Sequence, residues 1–578
     1  MRRSPAAALF ALLLLTVAAP ARAADPIMPL SEVRSGMHCT GYSVVRGVDI
    51  STFDVDVMDV IAGSAGDPEP RILVRVSGPA VEPWGIAEGF SGSPVKCRDA
   101  DGTLRTIGAL AYSVGQFGDS IGLATPIELI IGEPVDPPKG SRHDPALLRS
   151  ARPLAGPLEI GGMNPVLGRL VERAGRLAGR TVRVAPGGPA GGIPVRPMQP
   201  GSSVVAGLAT GGLSAGALGT VTYVDGDRLW AFGHALDGIG ARSLALQDAW
   251  IYTVVYNPLN TQDAVSYKLG SAGREVGMLT NDAFDGVAGR LGVSPPQIDL
   301  RFLGRDLDSG RRVGLTSRVA DESALRNPAG DVLPLLSELA LLQGDALALR
   351  SSPPDQSGSL CLRIQIAERK EPLRFCNRYV GGGAADDSSA GSGALSRMAV
   401  DITKALGLVS AFQGKPLTVQ RVGVDLRVRR GLDQAFLVAA KGPARVRAGT
   451  TVPVTLLLRT SSGAERTART AVRLPTGLKP GRYAIRLNGT RADSSDDLTT
   501  VVVITLDDSG DDTTDEPAEK GPKTLDELAA RVAAISRFDG VTVRLGRPGR
   551  KGGTPIGGFR DTRLRLSGAV TLKLRVVK

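Results

Sequence analysis

Thr52–Val60 reads TFDVDVMDV, with Phe53, Val55 and Val57 alternating against Asp54 and Asp56. A period of two places the apolar side chains on one face and the acids on the other, so the segment is predicted to be a half-buried strand. RILVRVSG (71–78) and TIGALAYSV (106–114) are β-prone in the same way, and DADG (99–102) reads as a turn before the second of them. The first block, about 28–135, is therefore expected to be all-β. Further on, TVTYV (220–224) and DRLWAF (227–232) flank Asp225-Gly226. Asp-Gly between β-prone runs is a hairpin signal, because both central positions of that turn require positive φ.

The pattern changes in three places. PVLGRLVERAGRL, between about 150 and 200, predicts a short helix followed by a flexible Gly/Pro-rich run. GGGAADDSSAGSG (381–393) and DDSGDDTTDEPAEKGP read as linkers. TLDELAARVAAI opens with Thr524 and Glu527 in a capping box and lines up Leu525, Leu528, Val532 and Ile535 on one face.

The expected organisation is a leader (1–23), a β-rich unit (24–297), a β-rich module (298–380) and a linker (381–393). A β-sandwich-like module (394–505), an acidic linker (506–522) and a small α+β module (523–578) follow. Within 24–297 the parts are 28–135, a connector 136–200, and 201–297. The fold class is mainly β.

Composition agrees with short strands and many turns: 4% aromatic residues, 73 Gly and 39 Pro in 578 residues. Arg2 and Arg3, the apolar run Ala6–Ala19 and the small-x-small sequence Ala21-Arg22-Ala23 form an export signal with cleavage before Ala24. No later uncharged run approaches the ~18 apolar residues of a membrane helix, so no further span is expected.

Net charge is +11, but the basic residues are scattered and not interleaved with aromatics. That pattern excludes a nucleic-acid groove and leaves loose attraction to an anionic cell envelope. Three histidines and no CxxC argue against a metal site, and no cofactor is expected. Cys39, Cys97, Cys361 and Cys376 form an even set that an oxidising compartment would pair; the neighbours in sequence are Cys39–Cys97 and Cys361–Cys376.

The chemistry concentrates at WGIAEGFSGSPVKC (84–97). Gly89 and Gly92 allow a tight backbone around Ser91, and the N–H groups of Gly89 and Ser91 would form a two-donor oxyanion hole. A serine nucleophile needs a base. His38 adjoins a cysteine, His143 lies in a Pro-rich connector, and His234 follows the hairpin strand in WAFGHALDGIG, where a rigid element would hold it.

GMHCTGYSVVRG, ILVRVSGPAV, GIAEGFSGSPV, GALAYSV with GLATPIELI, and LSAGALGTVTYVDGDRLWAFGH together resemble the SpoIVB-type serine peptidase family over about residues 28–295. The resemblance implies a trypsin-like double β-barrel and an extracytoplasmic serine endopeptidase acting on protein or peptide substrates. It assigns Ser91 as nucleophile, His234 as general base, and Gly89 and Ser91 as oxyanion-hole donors. The chain departs from the family in having Phe90 for Met, Ala235 for Gly or Pro, and the serine before the histidine; triads tolerate any chain order.

The third triad member is not identified. No aspartate occupies the family's position, Asp237 and Asp119 are the remaining loop candidates, and Asp225 and Asp227 are turn residues. A Ser–His dyad therefore stands beside a second reading, an exported scaffold that keeps an inactive peptidase-like domain.

Overall fold

The computed structural model describes residues 24–577 except 64–68, 115–119, 138–157, 179–180, 259–264, 326–331, 352, 354, 382–392, 491–520, 538, 550–551 and 562. The export signal, the body of both linkers, His143 and Asp119 lie outside the described residues. The chain is mainly β, with 51% strand against 15% helix.

Six strands close into a barrel in the order β1-β2-β3-β6-β5-β4. They are β1 (His38–Arg46), β2 (Asp49–Ile61), β3 (Arg71–Ser77), β4 (Pro94–Arg98), β5 (Leu104–Ser113) and β6 (Ile121–Pro126). The alternation in β2 works as expected: Phe53, Val55 and Val57 are buried in the barrel core, while Asp54 is exposed and Asp56 half-buried. Cys39 and Cys97 are directly opposed on β1 and β4 and form a disulfide. The bond ties the first barrel strand to the strand that follows the Ser91 loop.

A second set of strands begins with the parallel pair β7 (Leu158–Gly161) and β8 (Val182–Ala185), which are joined by the helix Pro165–Leu177. The Asn164 side chain caps that helix by accepting from the N–H groups of Val166 and Leu167. Next come β9 (Ser203–Gly211), β10 (Ser214–Asp225), β11 (Arg228–Ala231), β12 (Gly240–Val255), β13 (Tyr267–Ala283) and β14 (Gly286–Leu291). Pairing runs β9-β12-β13-β14-β11-β10 and returns through β10–β9, so these strands also form a ring. The hairpin forms, but its turn is displaced by one residue from the expected Asp225-Gly226. Asp225 pairs with Arg228, so Gly226 and Asp227 are the central residues, and of these only Gly226 has positive φ (62°), as in a turn with glycine at its first central position.

The sheet does not stop at residue 297. β15 (Gln297–Asp306), β16 (Arg312–Ala320), β17 (Gln356–Ile366), β18 (Leu373–Gly381) and β19 (Val419–Arg430) extend it, with β16 pairing to β9. The segment expected as a separate module, 298–380, is thus part of one thirteen-stranded sheet. The second disulfide, Cys361–Cys376, links directly opposed residues of β17 and β18.

Two helices cover this extension, Leu333–Leu349 and Gly393–Ser410. Neither is expected from the residue pattern. LPLLSELALLQGDALAL is apolar on almost every side, and even Glu338, Gln343 and Asp345 are buried, so it shows no stripe of period 3.6.

The C-terminal expectation is redistributed as well. The helix Leu525–Ala534 has its capping threonine, with Thr524 Oγ1 accepting from Glu527 N–H. Its face of Leu528, Val532 and Ile535 packs into the same core as β15–β19. The strands after it pair elsewhere. Arg565–Ser567 joins Gln434–Lys441, and Val541–Gly546 and Ala569–Val577 flank Gly481–Asn488. The two sheets built this way share one core, so segments expected as a sandwich and a separate unit are a single body. Alternation identifies a strand; it does not say which distant strand completes the ladder.

Candidate functional site

Ser91 lies in the loop between β3 and β4. Phe90 is fully buried in the barrel core, edge-on to Phe53 at 6.2 Å, and anchors the loop. Gly89 (φ +90°) and Gly92 (φ +89°) supply the left-handed backbone that turns the chain on either side of Ser91. The Phe90 N–H donates to Ala87 O (3.1 Å), Gly92 N–H to Leu110 O (2.7 Å) and Ser93 N–H to Phe90 O (2.9 Å). Among the described residues the N–H groups of Gly89 and Ser91 have no acceptor, and the Ser91 hydroxyl has no hydrogen bond.

β10 runs beneath this loop and fastens it. Thr220 N–H donates to Ser91 O (2.9 Å), Thr220 Oγ1 to Gly89 O (2.9 Å) and Thr222 Oγ1 to Gly92 O (2.9 Å). A Cβ on Gly92 would sit 2.0 Å from Thr220 O and 2.4 Å from Phe232 N, both backbone atoms. Gly92→Ala is therefore expected to pry the two rings apart locally. The left-handed backbone alone costs about 1–2 kcal/mol. Denaturant unfolding should show at least that loss, and an unchanged midpoint would mean the seam is not as close as described.

Contact between Gly92 and Phe232 brings the serine loop against the histidine segment. Past the end of β11, Phe232 (φ 69°) and Gly233 (φ 67°) turn the chain. Thr125 Oγ1, on β6, donates to Gly233 O at 2.7 Å, a second tie across the seam. His234 is fully buried, 5.9 Å from the Tyr112 ring and 6.1 Å from the Phe232 ring. Its Nδ1 lies 2.7 Å from Ala235 O. A carbonyl can only accept, so Nδ1 carries the proton and Nε2 presents a lone pair, which has no partner among the described residues. Burial lowers the imidazole pKa to about 4, and the Ala235 bond opposes this. The ring is neutral at pH 7.

Among the described residues no carboxylate hydrogen-bonds the imidazole; the Ala235 carbonyl takes that position. Asp237 pairs with Arg242 (2.8 Å), Asp227 pairs with Arg290 (2.6 Å), and Asp225 pairs with Arg228. The acid that matters to the loop is Asp282, on β13. It accepts from the N–H groups of Leu236 (2.7 Å), Asp237 (2.9 Å) and Gly238 (2.9 Å), holding the turn just after His234. Burial raises its pKa to about 6, and Arg242 and the amides hold it back. Arg242 is itself buried and bidentate to Glu322 (2.9 and 3.0 Å).

The serine loop is tied to the second ring at its other end too. Lys268 N–H donates to Glu88 O and Glu88 N–H to Ser266 O, both at 2.9 Å, and the Glu88 carboxylate lies 2.8 Å from Arg183. Lys268, Thr220 and Asp282 carry no motif in the sequence; a single Lys in YKLG or Asp in TNDA reads as an outward strand residue. His38 is an exposed barrel residue 2.6 Å from Asp56 and takes no part.

Ser91 is 6% exposed. A cavity of about 940 Å³ lies at the seam, lined by Tyr42, Lys96, Arg196, Met198 and Leu291 among others, and neither Ser91 nor His234 lines it. Among the described residues no three His, Cys, Asp or Glu side chains gather as a metal site would need. No protein-family model matches the chain, and no curated protein matches it.

Proposed function

We propose that this chain is an exported serine endopeptidase of the SpoIVB type, with a trypsin-like pair of barrels, acting on a protein or peptide substrate. One observation carries the reading. The Ser91 loop, with two unbonded N–H groups, lies backbone to backbone against Phe232, two residues before His234, and neither the Ser91 hydroxyl nor His234 Nε2 has a hydrogen-bond partner among the described residues, each other included. The two disulfides accord with export to an oxidising compartment.

The chemistry follows from these groups. His234 Nε2 takes the proton of Ser91 Oγ as the oxygen attacks the substrate carbonyl carbon. The oxyanion is held by the N–H groups of Gly89 and Ser91. The C–N bond then breaks, the proton passes from Nε2 to the departing amine, and water releases the acyl group by the same route. Ala235 O orients the ring but, being neutral, stabilises the imidazolium less than a carboxylate would. Full burial of His234 means that the seam must open to admit a peptide.

That burial, together with the missing acid, favours a second reading: a non-catalytic scaffold. A fluorophosphonate separates the two. Covalent modification of the intact protein at the peptide bearing Ser91 supports the peptidase. No adduct between pH 4 and pH 9, with no cleavage of casein, leaves the scaffold.

A further inference from the structure

Lys268 enters the mouth of the first barrel from β13 and ends beneath the Ser91 loop. Its side chain is buried, and its stem passes 3.1–3.3 Å from where a Cβ on Gly89 would stand. Nζ donates to Ser43 Oγ at 2.7 Å and to Thr220 Oγ1 at 3.2 Å, and lies 4.5 Å from the centre of the Phe90 ring. Both hydroxyls connect to the loop. Ser93 Oγ donates to Ser43 Oγ (2.9 Å), and Thr220 Oγ1 donates to Gly89 O (2.9 Å). The amine is thus the hub from which Gly89, Phe90 and Ser93 are all held.

We propose that Lys268 is a positioning residue whose ammonium form locks the Gly89–Ser93 loop and places a positive charge beneath the site of the oxyanion. The catalytic part of this rests on the peptidase reading; the locking of the loop does not.

The ammonium has three protons, and three neighbours receive them: two hydroxyl oxygens and the negative face of the Phe90 ring. Removing one proton leaves two for three neighbours and a lone pair in need of a donor. The Thr220 proton is already given to Gly89 O, so only the Ser43 hydroxyl can turn to the amine, giving up its contact with Thr220 Oγ1 (3.3 Å). No carboxylate pairs with Nζ among the described residues. Glu88, in the loop, faces Arg183 on β8, whose guanidinium stacks 3.7 Å over Tyr267. Burial raises the Glu88 carboxyl to about 7 against the pull of Arg183, so it titrates in the same range, and the step it leaves is the part that persists in Lys268→Met. Glu159, on β7, faces Arg183 and Glu88 rather than Lys268, and burial keeps it protonated up to about pH 8. His234 is neutral across the range in question. Desolvation therefore acts on Lys268 unopposed and lowers its pKa from 10.5 to about 7.

The signs give a window. His234 must be neutral to act as a base, which requires pH above about 4; Lys268 must be charged to lock the loop, which requires pH below about 7. Reactivity of Ser91 is expected to rise through the first value and fall through the second.

Two measurements on the full mature chain test this. Hydrogen exchange of the peptide spanning the Ser91 loop, corrected for the intrinsic rate, should lose protection several-fold between pH 6 and pH 8, and Lys268→Met should shrink that step to the part left by Glu88. Fluorophosphonate labelling at pH 6 should be at least about tenfold slower in Lys268→Met, with the alkaline limb reduced likewise. If Lys268→Met does not fold, Ser43→Ala removes one acceptor and should move the step about one unit to lower pH. Flat protection across pH 7 in the wild type, or an unchanged step in Lys268→Met, overturns the proposal. An exchange step without any labelling supports the lock and counts against the peptidase.

Discussion

On the proposed peptidase mechanism, Ser91→Ala, His234→Ala and the double substitution are each expected to lower hydrolysis of a fluorescent casein by a similar factor, about four orders of magnitude or more. Members of one proton-transfer unit do not act independently. Without the imidazole the hydroxyl keeps its proton, and without the hydroxyl the imidazole has nothing to activate. The second substitution should therefore cost little once the first is made. Additive losses would show that the two residues act in separate events, and normal turnover in His234→Ala would remove the imidazole from the mechanism. His234→Ala also removes a buried ring between Tyr112 and Phe232, so its unfolding midpoint must be measured beside its rate.

Arg242→Met is expected to destabilise the protein by about 3–5 kcal/mol in guanidinium unfolding. The guanidinium is buried against Glu322, Asp282 and Asp237, and Met would leave the first two carboxylates buried without a counter-charge. Asp282 is also the acceptor for three amides after His234, so the same change should loosen the histidine turn. Much of the loss is the cost of orphaned acids rather than the worth of the pair. Adding Glu322→Met to Arg242→Met should therefore recover part of it, despite removing another polar group. A loss under about 1 kcal/mol for Arg242→Met alone would mean that water reaches the cluster.

Several elements were legible from residue pattern because their causes are local. The alternation at 52–60, the hairpin around Gly226 (its turn one residue later than expected), the helix Pro165–Leu177 and the Thr524 cap (whose Glu527 reaches the Lys523 N–H instead of that of Thr524) each depend on residues within one turn or one strand of each other. The glycine-flanked Ser91 loop was legible for the same reason. The helix Leu333–Leu349 was not, since burial on all sides erases the periodicity that betrays a helix. Module boundaries at 297 and near 505–523 failed because β16 pairs with β9 and Arg565–Ser567 pairs with Gln434–Lys441. Those choices rest on register and shared core, which no local window contains.

The chain's own order of residues determined its strands, turns, caps and the serine and histidine worth watching. Only tertiary structure decided that the two loops share a seam, that a backbone carbonyl rather than an acid orients His234, and that Lys268 reaches Ser43 across 225 positions of chain. The physical reason is one of range. Backbone preferences act over a few residues. Desolvation, proton position and charge pairing depend on which distant side chains exclude water from a group, and here those side chains come from both rings.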